Sequence, residues 1–266
     1  MSPNWIFDQA HYQALNAARE PVVRRLASEF RSTLGSVAPT AIDVGCGVGY
    51  YTDVLDSMGF RVLGVDARRD NIEEARKRYP QLQFQIADAE DPKLSDFGKF
   101  DLVFCIGLFY HLENPFRLIR SFSSMASHVV LLEGICYPSH EPALVLLDEM
   151  DSNDQGVNAV AYYPSEVALV KMLQRSGFSE CYLLKLAPAH PDYGEDAHGF
   201  RKRTVLIAAK SSLELESLKR WPGVISHIHA WDPLPPLFPL AGLKDRAREL
   251  LREVMRRQRI WRNSSA

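Results

Sequence analysis

Ala41-Ile42-Asp43-Val44-Gly45-Cys46-Gly47-Val48-Gly49-Tyr50-Tyr51-Thr52 is the stretch that decides the fold. A short apolar run carrying one acid breaks into three glycines on alternate positions, then enters a helical pattern at Tyr50. That reads as strand, tight glycine loop and helix N-terminus, the arrangement by which an open α/β sheet cradles a nucleotide-like ligand. A dinucleotide fingerprint asks for G-x-G-x-x-G. The spacing here is G-x-G-x-G, and Tyr50 stands where the third dinucleotide glycine would be. Asp43, two residues before the first glycine, would repel a pyrophosphate but suit a cationic ligand, directly or through backbone and water. The loop therefore favours a nucleoside without phosphates over NAD.

Outward from this loop, strands and helices alternate. Strand one is Thr40–Val44, and its loop helix runs from Tyr50 to Met58, closed by Gly59. Strand two, Arg61–Asp66, ends on an acid; a helix follows over Asn71–Tyr79, stopped by Pro80. Strand three is Leu82–Ala87, and strand four, Phe100–Ile106, is nearly all apolar, as a strand buried on both faces should be. A helix over Glu113–Ala126 leads to strand five, His128–Glu133. The long connection 134–163 reads as irregular with a short helix near Ala143–Met150. A helix from Pro164 to Gly177 leads to strand six, Glu180–Leu186, and strand seven, Arg203–Ala209. The alternation implies a doubly wound, mostly parallel α/β sheet of seven strands. No helix separates strands six and seven, so strand seven must return antiparallel.

Residues 8–34 read as one or two helices with a break before Pro21; Val22, Leu26, Phe30 and Leu34 form an apolar stripe. After Lys210 the composition shifts. Residues 221–240 hold Trp221, Trp231 and five prolines, and 241–263 read as one amphipathic helix. From 241 onward there are eight Lys/Arg against three Asp/Glu. The expected division is N-terminal helices over 1–36, a ligand-binding domain over 37–210, and an appendage over 211–266.

The totals exclude several classes. A net charge of −2 gives no overall basic field for nucleic acid or anionic membrane. No signal-peptide pattern opens the chain and no apolar run reaches the roughly 20 residues of a spanning helix. Cys46, Cys105, Cys136 and Cys181 are scattered without a C-x-x-C pair, which reads as free thiols in a reducing cytoplasm.

The glycine loop, Gly64-Val65-Asp66, Ala87-Asp88-Ala89 and Phe100-Asp101-Leu102-Val103-Phe104 together resemble the class I S-adenosylmethionine-dependent methyltransferases, over roughly Val37 to Lys210. Tyr110-His111 after strand four, Tyr163-Pro164-Ser165 with Gly177-Phe178, and Gly199–Ala208 are similar to the methyltransferase-fold part of tRNA wobble-uridine carboxymethyltransferases and their uncharacterised relatives. The sequence departs from that enzyme in lacking a long N-terminal extension and an arginine-rich segment before strand seven. Plain S-adenosylmethionine, leaving as S-adenosylhomocysteine, is therefore expected rather than its carboxylated form.

The resemblance implies the site. Asp43 would organise the cofactor's amino end. Gly45, Cys46, Gly47 and Gly49 would let the backbone approach its methionine and ribose parts. Asp66, followed by Ala67, would accept from both ribose hydroxyls; Asp88 with the Ala89 amide would read the adenine edge; the backbone at Ile106 and Gly107 would line the methionine. The plainer reading of Asp88 is a turn or cap residue.

Tyr110 and His111 sit where the methyl group should point. His111 is the candidate general base, an imidazole poised near neutral pH; the competing reading is a cap of the helix beginning near Glu113. Three segments should cover this edge: the N-terminal helices, the 134–163 connection, and the loop between strands six and seven. That loop carries His190, Asp192, Tyr193, Glu195, Asp196, His198 and Arg201, and it reads as a solvated specificity loop because its spacing has no metal signature. His227, His229 and Asp232 are read the same way, as incidental.

The expectation is thus methyl transfer to a small-molecule acceptor at O, N or C. A tRNA-modifying transferase is the alternative within enzymes, and a non-catalytic cofactor-binding regulatory subunit the alternative outside them. The basic C-terminal helix could meet nucleic acid phosphates, but its apolar stripe favours packing or homodimerisation. No metal and no membrane contact are expected.

Overall fold

The computed structural model describes residues 5–35, 37–194 and 202–222. Everything expected from 223 onward lies outside the described residues. So do Glu195, Asp196, His198 and Arg201.

In chain order the elements are α1 (Ala10–Leu34), β1 (Thr40–Val44), α2 (Tyr50–Ser57), β2 (Arg61–Asp66), α3 (Arg69–Arg78), β3 (Gln83–Ile86), β4 (Phe100–Ile106) and α4 (Pro115–Met125). There follow β5 (Ala126–Cys136), β6 (Leu144–Asp148), β7 (Val160–Pro164), α5 (Glu166–Arg175), β8 (Glu180–Leu184), β9 (Lys202–Ala209) and β10 (Leu218–Arg220). The main sheet has the order β10-β8-β9-β5-β4-β1-β2-β3. From β5 through β3 the strands are parallel, and β9 is antiparallel to both β5 and β8. The doubly wound sheet with a returning late strand is as expected.

Its strand count is not. Eight strands make the main sheet rather than seven, because Leu218–Arg220 lies antiparallel on β8, beyond Lys210. The helix expected near Ala143–Met150 is instead β6, paired antiparallel with β7 as a separate two-stranded ribbon. Leu144, Leu146 and Asp148 are exposed while Val145 and Leu147 are half-buried, a two-residue alternation that suits a strand.

Alternate residues explain the burial. Leu102 and Phe104 of β4, Val129 and Leu131 of β5, and Ile207 of β9 face one layer and join Leu26 and Phe30 of α1 and Val54 and Leu55 of α2. Their neighbours Val103, Cys105, Val130, Leu132, Leu206 and Ala208 are as fully buried on the other face. There α4 packs on β4 and β5, and α5 on α4 and β8. A sheet covered on both faces needs such continuous apolar runs.

Helix α1 is single and runs through Pro21. Pro21 and Ala17 are both exposed, so the carbonyl that loses its amide partner turns to water and no break is needed. Ser165 caps α5, its hydroxyl accepting from the Ala168 amide, and Asn114 caps α4 in the same way from Arg117. The chain through Pro222 forms one compact unit that includes α1.

Candidate functional site

The glycine loop follows from backbone geometry. Gly45, Gly47 and Gly49 have φ of 78°, 53° and 88°, a region that L side chains avoid. The amides of Gly45 and Cys46 both donate to the Val65 carbonyl, which binds the loop to β2. A Cβ on Gly45 would lie 2.9 Å from Leu108, and one on Gly49 2.8 Å from the Phe84 ring, so the loop tolerates no side chain at either position.

The loop opens onto a cleft at the C-terminal ends of β1, β2 and β4, where the strand order reverses between β1 and β4. Of the residues expected at the cofactor, Gly45, Cys46, Gly47, Asp66, Ala67, Asp88, Ala89 and Ile106 line it, and so do Tyr110 and His111. Asp43 and Gly49 do not. Asp43 is buried beneath the loop, where it accepts a 2.7 Å hydrogen bond from Thr52 Oγ1 of α2. Burial pushes its carboxyl up to about 7. Its place is structural, joining strand to helix under the turn. Gly49 is the αL residue preceding α2, and a Cβ there would meet the Phe84 and Tyr79 rings.

Asp66 ends β2 with both oxygens engaged. Oδ2 accepts from the Gly47 amide at 3.0 Å, and Oδ1 from the Arg68 amide at 2.8 Å and from Asn71 Nδ2 at 3.2 Å. Burial raises its pKa against the opposing pull of these donors. Asp88 is exposed, and its Oδ1 accepts from the Glu90 amide. The turn role is therefore present, and Asp88 lines the cleft as well.

Two of the three segments expected to cover this edge do so; of the third, the β8–β9 loop, residues 195–201 lie outside the described residues, and its Tyr193 and Asp192 meet Arg19 and Arg203. From the N-terminal side, the Phe7 ring would meet a Cβ on Gly47 at 3.2 Å, and Asp8 pairs with both terminal nitrogens of Arg78 at 2.8 and 2.7 Å. From the β6–β7 connection, Arg68 donates to the carbonyls of Gln155 and Gly156 and to Asp151, while Asn71 and Asn153 bond each other. Tyr12 of α1 donates to Asp154 Oδ2 at 2.5 Å, joining the two covers.

At the far end of the cleft lies a buried polar cluster. Arg19 Nη2 donates to both oxygens of Glu133 at 2.9 Å, and Arg203 Nη1 lies 3.3 Å from Glu133 Oε1. Tyr193 accepts from Arg19 Nε at 2.9 Å and donates to Glu133 Oε1 at 2.6 Å. Arg203 also donates to the Tyr110 hydroxyl at 3.3 Å and lies 3.4 Å from Asp192 Oδ2. Burial by itself would raise the Glu133 pKa, but the two guanidiniums overturn this and hold it below the ordinary carboxylate range. Burial raises the Tyr110 phenol, which stays protonated.

His111 is buried in a short 3-10 turn after β4, its ring centroid 4.0 Å from that of Tyr110 and tilted 43° to it. Its Nδ1 lies 2.5 Å from Glu149 Oε1 at the end of the β6–β7 ribbon. It does not cap α4; Asn114 does. Glu90 ties this turn down, accepting from the amides of Glu113 and Asn114.

Arg19, Arg68, Glu133, Glu149 and Arg203 were not legible as site residues. One signal was available: Glu133 is the lone acid in the apolar run Val129-Val130-Leu131-Leu132, and a buried carboxylate demands a partner. The others come from elements far apart in sequence. Among the described residues no group of three or more His, Cys, Asp or Glu could hold a metal.

Residues 42–127 match the sequence family described as a methyltransferase domain. The chain carries a class I S-adenosylmethionine-dependent methyltransferase domain. It is 24% identical over 160 residues to a tRNA U34 carboxymethyltransferase of Campylobacter jejuni subsp. doylei, covering 57% of this chain and 53% of that protein. It is 30% identical over 128 residues to a ubiquinone biosynthesis O-methyltransferase of Ruegeria pomeroyi, covering 45% and 50%. The chain thus spans about half the length of these curated relatives. Among solved structures, the N-terminal domain of EvdMO1 in the presence of SAH and D-fucose aligns with a TM-score of 0.57 at 20% identity, over 70% of this chain and 82% of that one. Magnesium protoporphyrin IX methyltransferase from Synechocystis PCC 6803 with bound SAM aligns at 0.53 and 19%, over 76% and 85%. These likenesses are of fold. No helix among the described residues is long and apolar enough to cross a membrane.

Proposed function

We propose that the chain transfers the methyl group of S-adenosylmethionine to a small-molecule acceptor, releasing S-adenosylhomocysteine. The observation that carries this is the joining of the glycine loop to Asp66: Gly47 N–H and the Asp66 carboxylate meet at 3.0 Å on the cleft wall. A two-oxygen acceptor at the end of β2 suits the paired hydroxyls of a ribose. Gly45, Cys46 and Gly47 lie against the methionine part with Ile106, and Asp88 with Ala89 against the adenine. Asp43 supports the loop from below. When bound, the sulfonium supplies an electrophilic methyl group, and the protein's part is alignment and exclusion of water. The cover by Phe7, Tyr12 and residues 153–156 serves that exclusion.

His111 is the general base and Tyr110 a positioning hydroxyl beside it, both on the cleft wall. The enclosed polar end, with Arg19, Tyr110 and Arg203 on the wall, suits a small polar acceptor. A tRNA acceptor is the second reading, favoured by the 24% likeness to a tRNA U34 carboxymethyltransferase. A non-catalytic subunit is opposed by the intact loop and Asp66. The four cysteines are free and buried, consistent with a cytoplasmic location.

Calorimetric titration with S-adenosylmethionine and S-adenosylhomocysteine tests the proposal. Binding of both in one-to-one stoichiometry is expected, and absence of binding refutes it. A salt series of tRNA binding separates the acceptors: affinity falling steeply with log salt supports the tRNA reading, and no binding supports the small molecule.

A further inference from the structure

Two pairs of facts meet at His111. The residue lines the cleft, and its Nδ1 is taken by Glu149 Oε1 at 2.5 Å, with side-chain exposures of 7% and 6%. The other carboxylate oxygen, Glu149 Oε2, accepts from the Gly156 amide at 3.1 Å. The Glu149 amide in turn donates to the Ala159 carbonyl at 2.9 Å, so the acid is fixed on the ribbon at both its side chain and its backbone. Gly156 lies so close to the turn that a Cβ there would come within 2.2 Å of the His111 carbonyl oxygen. The ribbon and its connection, which carry no part of the glycine loop, are thus held against the His111 turn as well as against Arg68 and Asn71.

We propose that Glu149 is the positioning residue of a carboxylate–imidazole pair, which restricts the acceptor to molecules bearing a transferable O–H or N–H proton. This rests on the methyltransferase reading above. An ionised carboxylate accepts hydrogen bonds and donates none, so the Nδ1 it faces must carry the ring proton. The tautomer is thereby set, and Nε2 is the nitrogen left with a lone pair to take a proton. In the reaction, a bond forms between the acceptor heteroatom and the methyl carbon, and the carbon–sulfur bond breaks with its electron pair going to sulfur. The acceptor's proton passes to Nε2. The positive charge leaves the sulfonium and arrives on the imidazolium, where Glu149 faces it, so the net charge of the closed site is unchanged. A nucleophile with no proton to lose would leave this pair without a task.

The substitution Glu149→Gln is diagnostic because its side chain has one acceptor where two donors, His111 Nδ1–H and Gly156 N–H, now bind. With its oxygen on Gly156, its NH2 group faces Nδ1 and forces the proton to Nε2. Glu149→Asp keeps two acceptors. The test is 15N spectroscopy of histidine-labelled protein, alone and with S-adenosylmethionine or S-adenosylhomocysteine, beside calorimetry with both nucleosides.

The expected result is a wild-type His111 protonated on Nδ1, with an Nε2 resonance that differs between the sulfonium and thioether complexes. Glu149→Gln should move the proton to Nε2 and abolish that difference, Glu149→Asp should retain both, and S-adenosylhomocysteine affinity should stay within about threefold throughout. A wild-type proton on Nε2 overturns the proposal, as does a Glu149→Gln spectrum like the wild type's. An Nε2 resonance indifferent to sulfonium against thioether marks a merely structural pair. If neither nucleoside binds, the methyltransferase reading itself fails; if both bind and the tautomer is wrong, only this inference does.

Discussion

The two ends of the cleft are made differently. At the cofactor end the wall is largely backbone: amides of Gly45, Cys46 and Gly47, fixed by a few residues of local sequence and by one strand-end acid 19 residues further on. At the acceptor end the wall is side chain: Arg19, Tyr110 and Arg203 line the cleft, and Glu133 and Tyr193 tie the two arginines together, joining α1, β5, the β8–β9 loop and β9 at separations of 60 to 174 residues. A backbone cradle serves one ligand whatever the surrounding side chains are. A wall of interlocked side chains can be rebuilt to suit another acceptor without disturbing the loop. The comparison therefore predicts that damage at each end stays at that end.

The largest effect should come from the acceptor end, as lost stability. Glu133 is 1% exposed and lies between two guanidiniums, so Glu133→Gln leaves uncompensated buried charge. Breaking such a pair costs about 3–5 kcal/mol, which for a domain of this size lowers Tm on the order of 10 °C. The pH dependence has a definite sign. The Glu133 pKa is depressed on folding, so its contribution is present above the ordinary 4.5 and is lost as pH falls below that value. The Tm gap between wild type and Glu133→Gln should narrow in acid, and a gap that widens would contradict the ion-pair account. Affinity for S-adenosylhomocysteine, measured on the folded variant, should change little.

At the cofactor end, Asp66→Ala should do the reverse. Oδ2 has one acceptor site left for a ribose hydroxyl, and losing that charge-assisted hydrogen bond, about 1.5–3 kcal/mol, weakens S-adenosylhomocysteine roughly 10-fold or more in calorimetry. Its Tm should fall far less than that of Glu133→Gln. Unchanged affinity would remove Asp66 from the cofactor site, and a shared loss of both properties in either variant would dissolve the distinction between the ends.

The same contrast explains what was legible. The parallel sheet, the glycine loop, Asp66 and the returning strand β9 follow from local patterns: alternation of strand and helix, three glycines on alternate positions, an acid closing an apolar run. That Asp43 does not itself line the cleft was not legible, because sequence gives its distance from the loop but not its direction; β1's two-residue period turns it under the loop toward Thr52. The β6–β7 ribbon was taken for a helix because Leu144–Asp148 is short and apolar on both parities, with neither period dominant. Glu149 was invisible for a further reason. Nothing near it announces a partner, and it meets His111 only because the ribbon folds back across 38 residues.

The smallest effect concerns the cover that spans both ends. Arg68 follows the Asp66 turn but reaches over the cleft to the carbonyls of Gln155 and Gly156 and to Asp151. Asp151 is 88% exposed at its side chain, so that ion pair adds little, and the two carbonyl bonds carry the effect. Net bonds of this kind are worth about 1 kcal/mol each at most. If a nucleoside enters and leaves the cleft past residues 153–156, loosening the cover speeds both steps together. Arg68→Ala should raise the association and dissociation rates of S-adenosylhomocysteine by up to about tenfold in stopped flow, leaving Kd within a few-fold. Faster dissociation alone would mean that Arg68 grips the bound nucleoside and belongs to the cofactor end. Unchanged rates would place the path of entry elsewhere, on the side of Phe7 and Asp8.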